Sequence, residues 1–287
     1  MRCETTPDPG TFWEWAQGFL VGDPVLNNVL ITNVLARRAG TMSDQPPATY
    51  AVVLDETSAV VGAAMHTPPQ PILVSPLQPG AADILTSALA ESCPDAPGVN
   101  GTSATADAVA AAWRRLTKAE VVLHQQQRIH RLVAVSFPRT PPGGWRRAAQ
   151  ADRQLLLEWS DAFELEAEGA VTGASAGGLD ARLAAGRVFL WVDGTPVSYA
   201  GATPAVGGVA RVGPVYTPPA HRGRGYASAL VAAISQTALD GGATACMLYT
   251  DLANRTSSEI YEAIGYRPAA EIHAFRFIAQ PSDPAAL

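Results

Sequence analysis

Hydrophobic positions follow helical spacing in some stretches and alternate or cluster as in strands in others. Over residues 12–39 the spacing is helical and is interrupted at Gly22-Asp23-Pro24, where proline can only begin a helix, so two helices are predicted. Two β-rich runs, 50–54 and 59–65, flank the polar segment Asp55-Glu56-Thr57-Ser58. This arrangement is typical of an antiparallel hairpin.

The remaining elements follow from the same patterns. In the first half they are a strand at 72–74, helices at 82–91 and 106–116 with a strand or a loop between them, and strands at 121–124 and 132–135. In the second half they are helices at 152–167 and 179–185, hairpin strands at 188–192 and 197–202, a strand at 209–217, a helix at 224–239, a strand at 243–250, a helix at 257–264 and a strand at 272–278. Because the order of elements recurs after the second hairpin, the sequence predicts two copies of one α/β unit.

One segment, Phe137–Gly144, is dense in proline and glycine and sustains neither a helix nor a strand ladder. It is the best linker candidate in the chain. The predicted domains are therefore residues 1–136 and 145–287, joined by 137–144.

Composition narrows the class of protein. Of 287 residues, 47% are hydrophobic and 16% are charged, which is enough apolar side chain for a sizeable core. The net charge of −6 argues against a protein that wraps nucleic acid, and neither a signal peptide nor a membrane span is expected. The three cysteines are odd in number and far apart in the sequence, which fits neither a disulfide framework nor a zinc spacing such as C-x-x-C: Cys3, Cys93 and Cys246. We expect a soluble cytoplasmic protein with no nucleic-acid or membrane partner.

The sharpest chemical signal is the segment Thr217–Ser228, TPPAHRGRGYAS, between a predicted strand and a predicted helix. Gly223 and Gly225 permit positive φ and let a ligand approach the main chain closely. The first turn of the helix leaves N–H groups without intrahelical acceptors, and Arg222 and Arg224 add two positive charges. These features predict an anion-binding loop.

Two nucleotide-binding motifs are alternatives for this loop. A P-loop requires a lysine, and the only lysine of the chain is Lys118. The spacing Gly223-x-Gly225-x-x-Ser228, with Asp251 at the end of the next strand, is closer to a dinucleotide fingerprint. Against it, the loop follows an antiparallel hairpin, and Asp251 lies farther than about 20 residues from the glycines. A nucleotide-binding Rossmann-type protein remains a less favoured alternative.

The loop resembles that of the GNAT N-acetyltransferase superfamily. The acyl-CoA loop of that family has the form [QR]-x-x-G-x-[GA], which the segment Arg222–Ala227 satisfies at each position. A second family pattern, N-x-x-[AS]-x-x-[LI]-Y-x-x-x-G-[FY], is met downstream by Asn254, Ser257, Ile260, Tyr261, Gly265 and Tyr266. The resemblance covers Trp145 to about Ile278 and, more loosely, the whole chain as a tandem, two-copy member with a degenerate N-terminal copy.

This resemblance implies an α/β (α+β) fold of two GNAT-like units, each a mixed, mostly antiparallel twisted sheet flanked by helices. It implies direct attack of a primary amine, from a small molecule or a peptide, on acetyl-CoA as the acyl donor, with no metal. The main chain of Val215 and Thr217 would pair with pantetheine, and the loop amides would hold the CoA diphosphate. The full set of expected CoA-binding residues is Val215, Tyr216, Thr217, Arg222, Gly223, Arg224, Gly225, Tyr226, Ala227, Ser228 and Asn254. A CoA-binding or CoA-sensing module without turnover is the main alternative.

Tyr261 occupies the family position of the general acid, although its spacing to Ile260 and Ile264 also fits a core aromatic residue. Asn254 either contacts the CoA arm or caps the following helix. Thr256-x-x-Glu259 predicts a capping box there.

A general base is harder to assign, because the strand before the loop carries no carboxylate. Asp161, Glu164 and Glu168 share one face of the preceding helix, either as a solvated face or as an acidic rim for a cationic amine. Glu164 is the catalytic candidate among them, and a base acting through water is equally open. Gly213-Pro214 predicts a bulge in the strand or an edge position.

The first copy departs from the pattern at the position of the loop. It has Val74-Ser-Pro-Leu-Gln-Pro-Gly80, with no arginine and a single glycine. We expect this copy not to hold a diphosphate in the same way.

Overall fold

The computed structural model describes residues 1–42, 45–171, 173 and 178–278. Within them the helices are α1 (Pro9–Gly22), α2 (Asn28–Arg38), α3 (Ala81–Ser92), α4 (Ser103–Thr117), α5 (Arg153–Glu168), α6 (Leu179–Ala184), α7 (Tyr226–Asp240) and α8 (Arg255–Ile264). The strands are β1 (Arg2–Thr6), β2 (Thr49–Leu54), β3 (Val60–His66), β4 (Ile72–Val74), β5 (Gly98–Thr102), β6 (Glu120–Leu132), β7 (Gly144–Arg147), β8 (Val188–Asp193), β9 (Thr195–Ala202), β10 (Val209–Tyr216), β11 (Ala245–Asp251) and β12 (Arg267–Ile278).

The first compact unit contains the described residues of Met1–Ile129, together with Asp251–Ala253 and residues 269–278. Its strands follow the order β1-β2-β3-β4-β5-β12, with β4 and β5 parallel and the other neighbours antiparallel. Helices α3 and α4 bury their apolar sides on one face of this sheet. On the other face, the ring of Phe12 in α1 stacks on Tyr50 in β2, with ring centroids 4.8 Å apart.

The second unit contains His130–Thr250 and Asn254–Pro268. Its strands follow the order β11-β10-β9-β8-β7, and only β10 and β11 are parallel. Helix α7 packs Leu230 and Ile234 on one face of the sheet, and Leu156 of α5 and Leu183 of α6 pack on the other. Both units therefore repeat an edge strand, two helices, three further antiparallel strands, a crossover helix, a parallel strand and a last helix. This repetition confirms the predicted pair of mixed, mostly antiparallel α/β units.

Most predicted elements are present, but the two strands predicted at 121–124 and 132–135 are one strand, β6. The polar run 125–128 suggested a break. Much of β6 is exposed, so polar side chains are tolerated along it, and the Gln126 carbonyl accepts a hydrogen bond from the Leu252 amide at 3.0 Å. The chain leaves the strand after Leu132.

Two strands, β1 and β7, were not predicted from the sequence, and β5 forms in the segment that was left open as a strand or a loop. Glycine usually weakens a strand, and β5 contains Gly98 and Gly101. Gly98 is required because a Cβ there would overlap the Phe275 carbonyl across the ladder with β12. The close approach of two backbones is not visible in a sequence pattern.

The last strand of the chain belongs to the first unit, although the sequence placed 272–278 in the second domain. Residues of β12 pair antiparallel with β5, Ile272 opposite Thr102 and Arg276 opposite Gly98. The pattern of hydrophobic residues along a sequence does not show which sheet a strand joins. The segment 137–144, expected to link two domains, groups with the second unit, and Trp191 Nε1 donates to the Pro142 carbonyl at 2.9 Å.

Candidate functional site

Strand β10 contains the predicted bulge. In its ladder with β9, Val212 lies opposite Ala202 and Val215 lies opposite Ala200, so β10 uses one residue more than β9 over this stretch. The additional length falls at Gly213-Pro214, where proline has no N–H to donate to a ladder.

The parallel strands β10 and β11 diverge after a short ladder. Val209–Arg211 pair with Ala245–Met247, and pairing between the two strands ends there. The rest of β10 pairs with β9, while β11 continues to Asp251. The carboxyl ends of two adjacent parallel strands are thus separated, and the predicted anion-binding loop follows the end of β10.

The loop has the glycine geometry that the sequence predicted. After a short 3-10 turn at Pro219–His221, Gly223 has φ of +73° and Gly225 has φ of +83°. Both values lie in the left-handed region that favours glycine. A Cβ built at either position meets nothing within 4 Å, so the space beside the main chain is open.

The main-chain amides at residues 223–228 of the loop lack acceptors among the described residues. Gly225 is the N-cap of α7, and no side chain caps the helix. The Ala229 amide donates to the Gly225 carbonyl at 3.0 Å, whereas the N–H groups of residues 223–228 have no acceptor within the described chain. Together with the positive end of the α7 dipole, these amides form a site for an anion.

The sequence suggested that Arg222 adds a free positive charge beside these amides, but in the structure its charge is paired. Its Nη2 donates to both carboxylate oxygens of Glu166 in α5, at 2.8 and 2.7 Å, and its Nε donates to the Thr217 carbonyl at 2.8 Å. The guanidinium also lies over the Tyr216 ring, 5.6 Å from its centroid. The two side chains of the ion pair are 46% and 45% exposed, so the pair contributes little stability and can open. No sequence motif pointed to Glu166.

Two neighbouring side chains of the loop differ in orientation. The Tyr226 ring is 3% exposed within the core, and its hydroxyl donates to Asp193 Oδ2 at 2.6 Å, so only its main chain is available to a ligand. That hydrogen bond to a carboxylate raises the pKa of Tyr226. Arg224 is exposed and forms no ion pair within the described residues. Arg224 is therefore a cation beside the amides that no carboxylate pairs among the described residues, and its side chain interacts with the Tyr226 hydroxyl, whose pKa it lowers.

The exit of β10 is fixed by hydroxyl groups. Thr217 Oγ1 donates to Ser198 Oγ at 2.9 Å, and Ser198 Oγ donates to the Tyr216 carbonyl at 3.1 Å. These bonds hold the start of the loop against β9.

The Tyr261 phenol is buried. Its residue is 9% exposed, and its ring packs edge-on to Tyr266 with centroids 6.1 Å apart. Burial raises the pKa of Tyr261 to about 12. The phenol therefore stays protonated at neutral pH, as a proton donor must.

Asn254 caps α8: its Oδ1 accepts a hydrogen bond from the Ser257 amide at 3.1 Å. The capping box predicted at Thr256 and Glu259 is wrong, because α8 begins at Arg255 and Thr256 is already helical. Gly265 ends the helix with φ of +114°, as predicted.

Glu164 does not lie on a solvated acidic face. It is 3% exposed, whereas Asp161 on the same helix is exposed; the side chain of Glu168 lies outside the described residues. Glu164 Oε2 accepts a hydrogen bond from the Gly173 amide at 2.9 Å, and its charge contributes to raising the pKa of Tyr199, which burial chiefly raises. Among the described residues, no other Asp or Glu is buried.

A family model described as the acetyltransferase (GNAT) family matches residues 150–266. These residues are a GNAT acetyltransferase domain. The resemblance inferred from the two motifs is thus confirmed, and the dinucleotide alternative loses its basis, because strands β7 to β10 are antiparallel whereas a doubly wound fold requires parallel strands.

Solved structures resemble the chain beyond the GNAT domain. A GNAT-family acetyltransferase from Colwellia psychrerythraea has a TM-score of 0.61 at 12% identity, covering 96% of this chain and 100% of that one. A Drosophila protein has a TM-score of 0.68 at 13% identity, covering 97% and 99%. A tandem GNAT protein from the clavulanic acid biosynthesis pathway has a TM-score of 0.51 at 17% identity, covering 83% and 86%. At these identities the likeness is one of fold. A comparison with curated proteins gave no significant match.

The first GNAT-like unit is closed where the GNAT domain is open. Gly80 is the N-cap of α3 with φ of +85°, which matches Gly225. The amides of Leu77, Gln78 and Ala81, however, donate to a threonine hydroxyl and to two main-chain carbonyls within the unit. The Leu77 side chain occupies the space in which a Cβ on Gly62 would lie. The loop of the first unit therefore lacks the run of unpaired amides.

No helix among the described residues is both long and apolar enough to cross a bilayer. No group of three or more His, Cys, Asp or Glu side chains in that part of the chain could hold a metal ion.

Proposed function

We propose that this protein transfers the acetyl group of acetyl-CoA to a primary amine of a small molecule or a peptide, and that the GNAT domain carries out the reaction. The run of unpaired amides over residues 223–228, beside the open space at Gly223 and Gly225, is the observation that supports this most directly. Such a site fits a compact, highly charged anion such as the diphosphate of CoA. The GNAT resemblance implies that the acyl group arrives as an activated thioester.

The charges around the loop fit the same ligand. Arg224 is exposed beside the amides, and the Arg222 side chain can exchange Glu166 for a phosphate oxygen, because the ion pair is half exposed. The side chains of Ala227 and Ser228 are only partly buried, which leaves the first turn of α7 approachable. In this proposal Asn254 contributes to the CoA site indirectly, by capping the start of α8.

The divergence of β10 and β11 fits a slender arm between the strands. The ladder ends at Arg211 and Met247, so peptide groups farther along both strands are open to another partner. Following the family resemblance, we assign the main chain of Val215, Tyr216 and Thr217 to the pantetheine arm. The Val215 amide is the candidate to polarise the thioester carbonyl.

Two protons must move when the amine nitrogen bonds to the acetyl carbon and the carbon–sulfur bond breaks. We assign removal of the nitrogen's proton to Glu164, directly or through a water, since it is the buried carboxylate of the domain. We assign delivery of a proton to the sulfur to Tyr261. Burial raises the pKa of the Tyr261 phenol, and it would also raise the pKa of a CoA thiol beside the phenol. The two pKa values would therefore stay close enough for proton transfer.

A CoA-binding module without turnover would use the same loop. The burial of Tyr261 in the hydrophobic core is the observation that favours it, since a purely structural tyrosine would look the same. Cys3, Cys93 and Cys246 are free thiols, and we propose a reducing, cytoplasmic location for the protein in either case.

The experiment that tests the function combines calorimetry with an assay for released thiol. We expect acetyl-CoA to bind the full chain with one site, and at least one class of amine to release CoA thiol in its presence. Binding without turnover over amino acids, polyamines, aminoglycosides and peptides would select the module without turnover. Absence of binding would reject both.

A further inference from the structure

Arg211 occupies a special position in the GNAT domain. It is the last residue of β10 that pairs with β11, opposite Met247, so it stands at the point where the two strands begin to diverge. On the side of β10 away from β11, hydrogen bonds to Thr203 fix the main chain of Arg211. The Arg211 amide donates to Thr203 Oγ1 at 3.0 Å, and the Arg211 carbonyl accepts from the Thr203 amide at 2.9 Å.

Its side chain lies on the face of the sheet opposite α7. Ala210 and Val212, the neighbours of Arg211, belong to the core against α7, and side chains alternate between the faces of a strand. The opposite face is the one covered by α5 and α6. Glu164 and Arg182 belong to those two helices.

The Arg211 guanidinium has no anionic partner among the described residues. Within the described chain its side chain forms no ion pair and no hydrogen bond. Burial lowers the pKa of Arg211; the Tyr249 phenol acts in the opposite sense, and the positive charge of Arg182 lowers it further. No carboxylate of the described residues contributes to this shift of its pKa. A partly buried cation next to a second cation is costly unless a ligand supplies the negative charge.

We propose that Arg211 binds the carboxylate of the amine substrate, so that the acceptor is a short amino acid. This inference rests on the proposed acetyl transfer. The amine must reach the opening between β10 and β11 at whose apex Arg211 stands, so only a few bonds separate its nitrogen from the carboxylate. A planar guanidinium can hold that carboxylate through two parallel hydrogen bonds.

The test uses amino acids and their decarboxylated partners with the full chain and acetyl-CoA. The pairs are glycine and methylamine, β-alanine and ethylamine, γ-aminobutyrate and propylamine, and L-lysine and cadaverine. We expect kcat/KM for at least one amino acid to exceed that of its partner by about tenfold or more, the range of a hydrogen bond between charged groups.

Variants locate the effect. In Arg211→Gln that preference should fall toward one, with the KM for acetyl-CoA unchanged, and Arg211→Lys should be intermediate. The exposed Arg114→Gln in α4 removes the same charge from the first unit and should change nothing. Calorimetry measures binding of the preferred amino acid to protein saturated with CoA, where no turnover occurs. The heat of binding should be lost in Arg211→Gln.

The outcomes separate this inference from the proposed function. Equal kcat/KM within every pair, or a preference that survives Arg211→Gln, would overturn the assignment of Arg211 and leave acetyl transfer standing. No turnover together with no binding of acetyl-CoA would overturn both.

Discussion

Arg222 and Glu166 form a two-pronged ion pair in which one guanidinium nitrogen lies 2.8 and 2.7 Å from the two carboxylate oxygens. The pair joins the anion-binding loop to helix α5. A diphosphate bound in the loop would compete with Glu166 for this guanidinium, so in the proposed function the carboxylate would oppose binding of CoA.

Glu166→Gln should therefore strengthen CoA binding. We expect Kd to fall about threefold to fivefold at low salt, in keeping with the small energy of an exposed pair, and the gain to shrink at high salt. Glu158→Gln is the control, since Glu158 is also exposed on α5 and, among the described residues, its side chain accepts one hydrogen bond, from Gln154 Nε2 at 3.1 Å. Calorimetry in the two salts measures the effect; weaker binding in Glu166→Gln would show that Glu166 supports the ligand instead.

Gly225→Ala should weaken CoA binding by tenfold or more, because the new methyl group occupies the space at the amides. The strain of a left-handed alanine costs about 1–2 kcal/mol of stability by itself. Gly80→Ala is a matched control, since Gly80 is also a left-handed N-cap with no atom within 4 Å of its Cβ position. Thermal melts should show similar losses for both variants, and only Gly225→Ala should lose affinity; equal affinities would remove the loop from the site.

Tyr261→Phe should lower kcat by about 100-fold, the usual range for loss of a general acid, while the KM for acetyl-CoA changes less than twofold. Since the pKa of Tyr261 is about 12, the wild type should show no alkaline decline from this group below about pH 10. Tyr266→Phe removes the neighbouring hydroxyl, which bonds Ser235 at 2.8 Å, and should leave kcat intact. Unchanged turnover in Tyr261→Phe would make that residue structural.

Stability should fall in alkali for the same reason. The pKa of Tyr261 is raised on folding, so its contribution is present below the unfolded value of about 10 and is lost as pH rises toward 12. The full effect is about 2–3 kcal/mol. Urea unfolding between pH 9 and 11 should show a shallower decline for Tyr261→Phe than for wild type. Burial also raises the pKa of Tyr266, so some decline in stability should persist in Tyr261→Phe. Parallel curves of stability against pH for the variant and the wild type would show that the Tyr261 phenol is not buried.

Much of the fold could be predicted from local patterns. The hairpins, the crossover helices and the loop at Gly223 and Gly225 depend on turn chemistry and periodicity within short windows, which a sequence displays directly. The bulge at Pro214 followed from the missing N–H of proline.

Long-range pairing could not be predicted. The exchange of β12 into the first unit, the need for Gly98 beneath Phe275, and the ion pair between Arg222 and Glu166 all join residues that are distant in the chain. The burial of Glu164 was hidden as well, because its spacing with Asp161 suggested a solvated face. Each of these features depends on tertiary contact.

Amide hydrogen exchange with and without acetyl-CoA tests most directly whether the loop holds the diphosphate. We predict that the amides of residues 223–228, which have no acceptor in the described chain, become strongly protected on addition of acetyl-CoA. The amides at the start of α3, after Gly80, should not change. Saturation by acetyl-CoA with no protection at 223–228 would contradict the assignment of this loop.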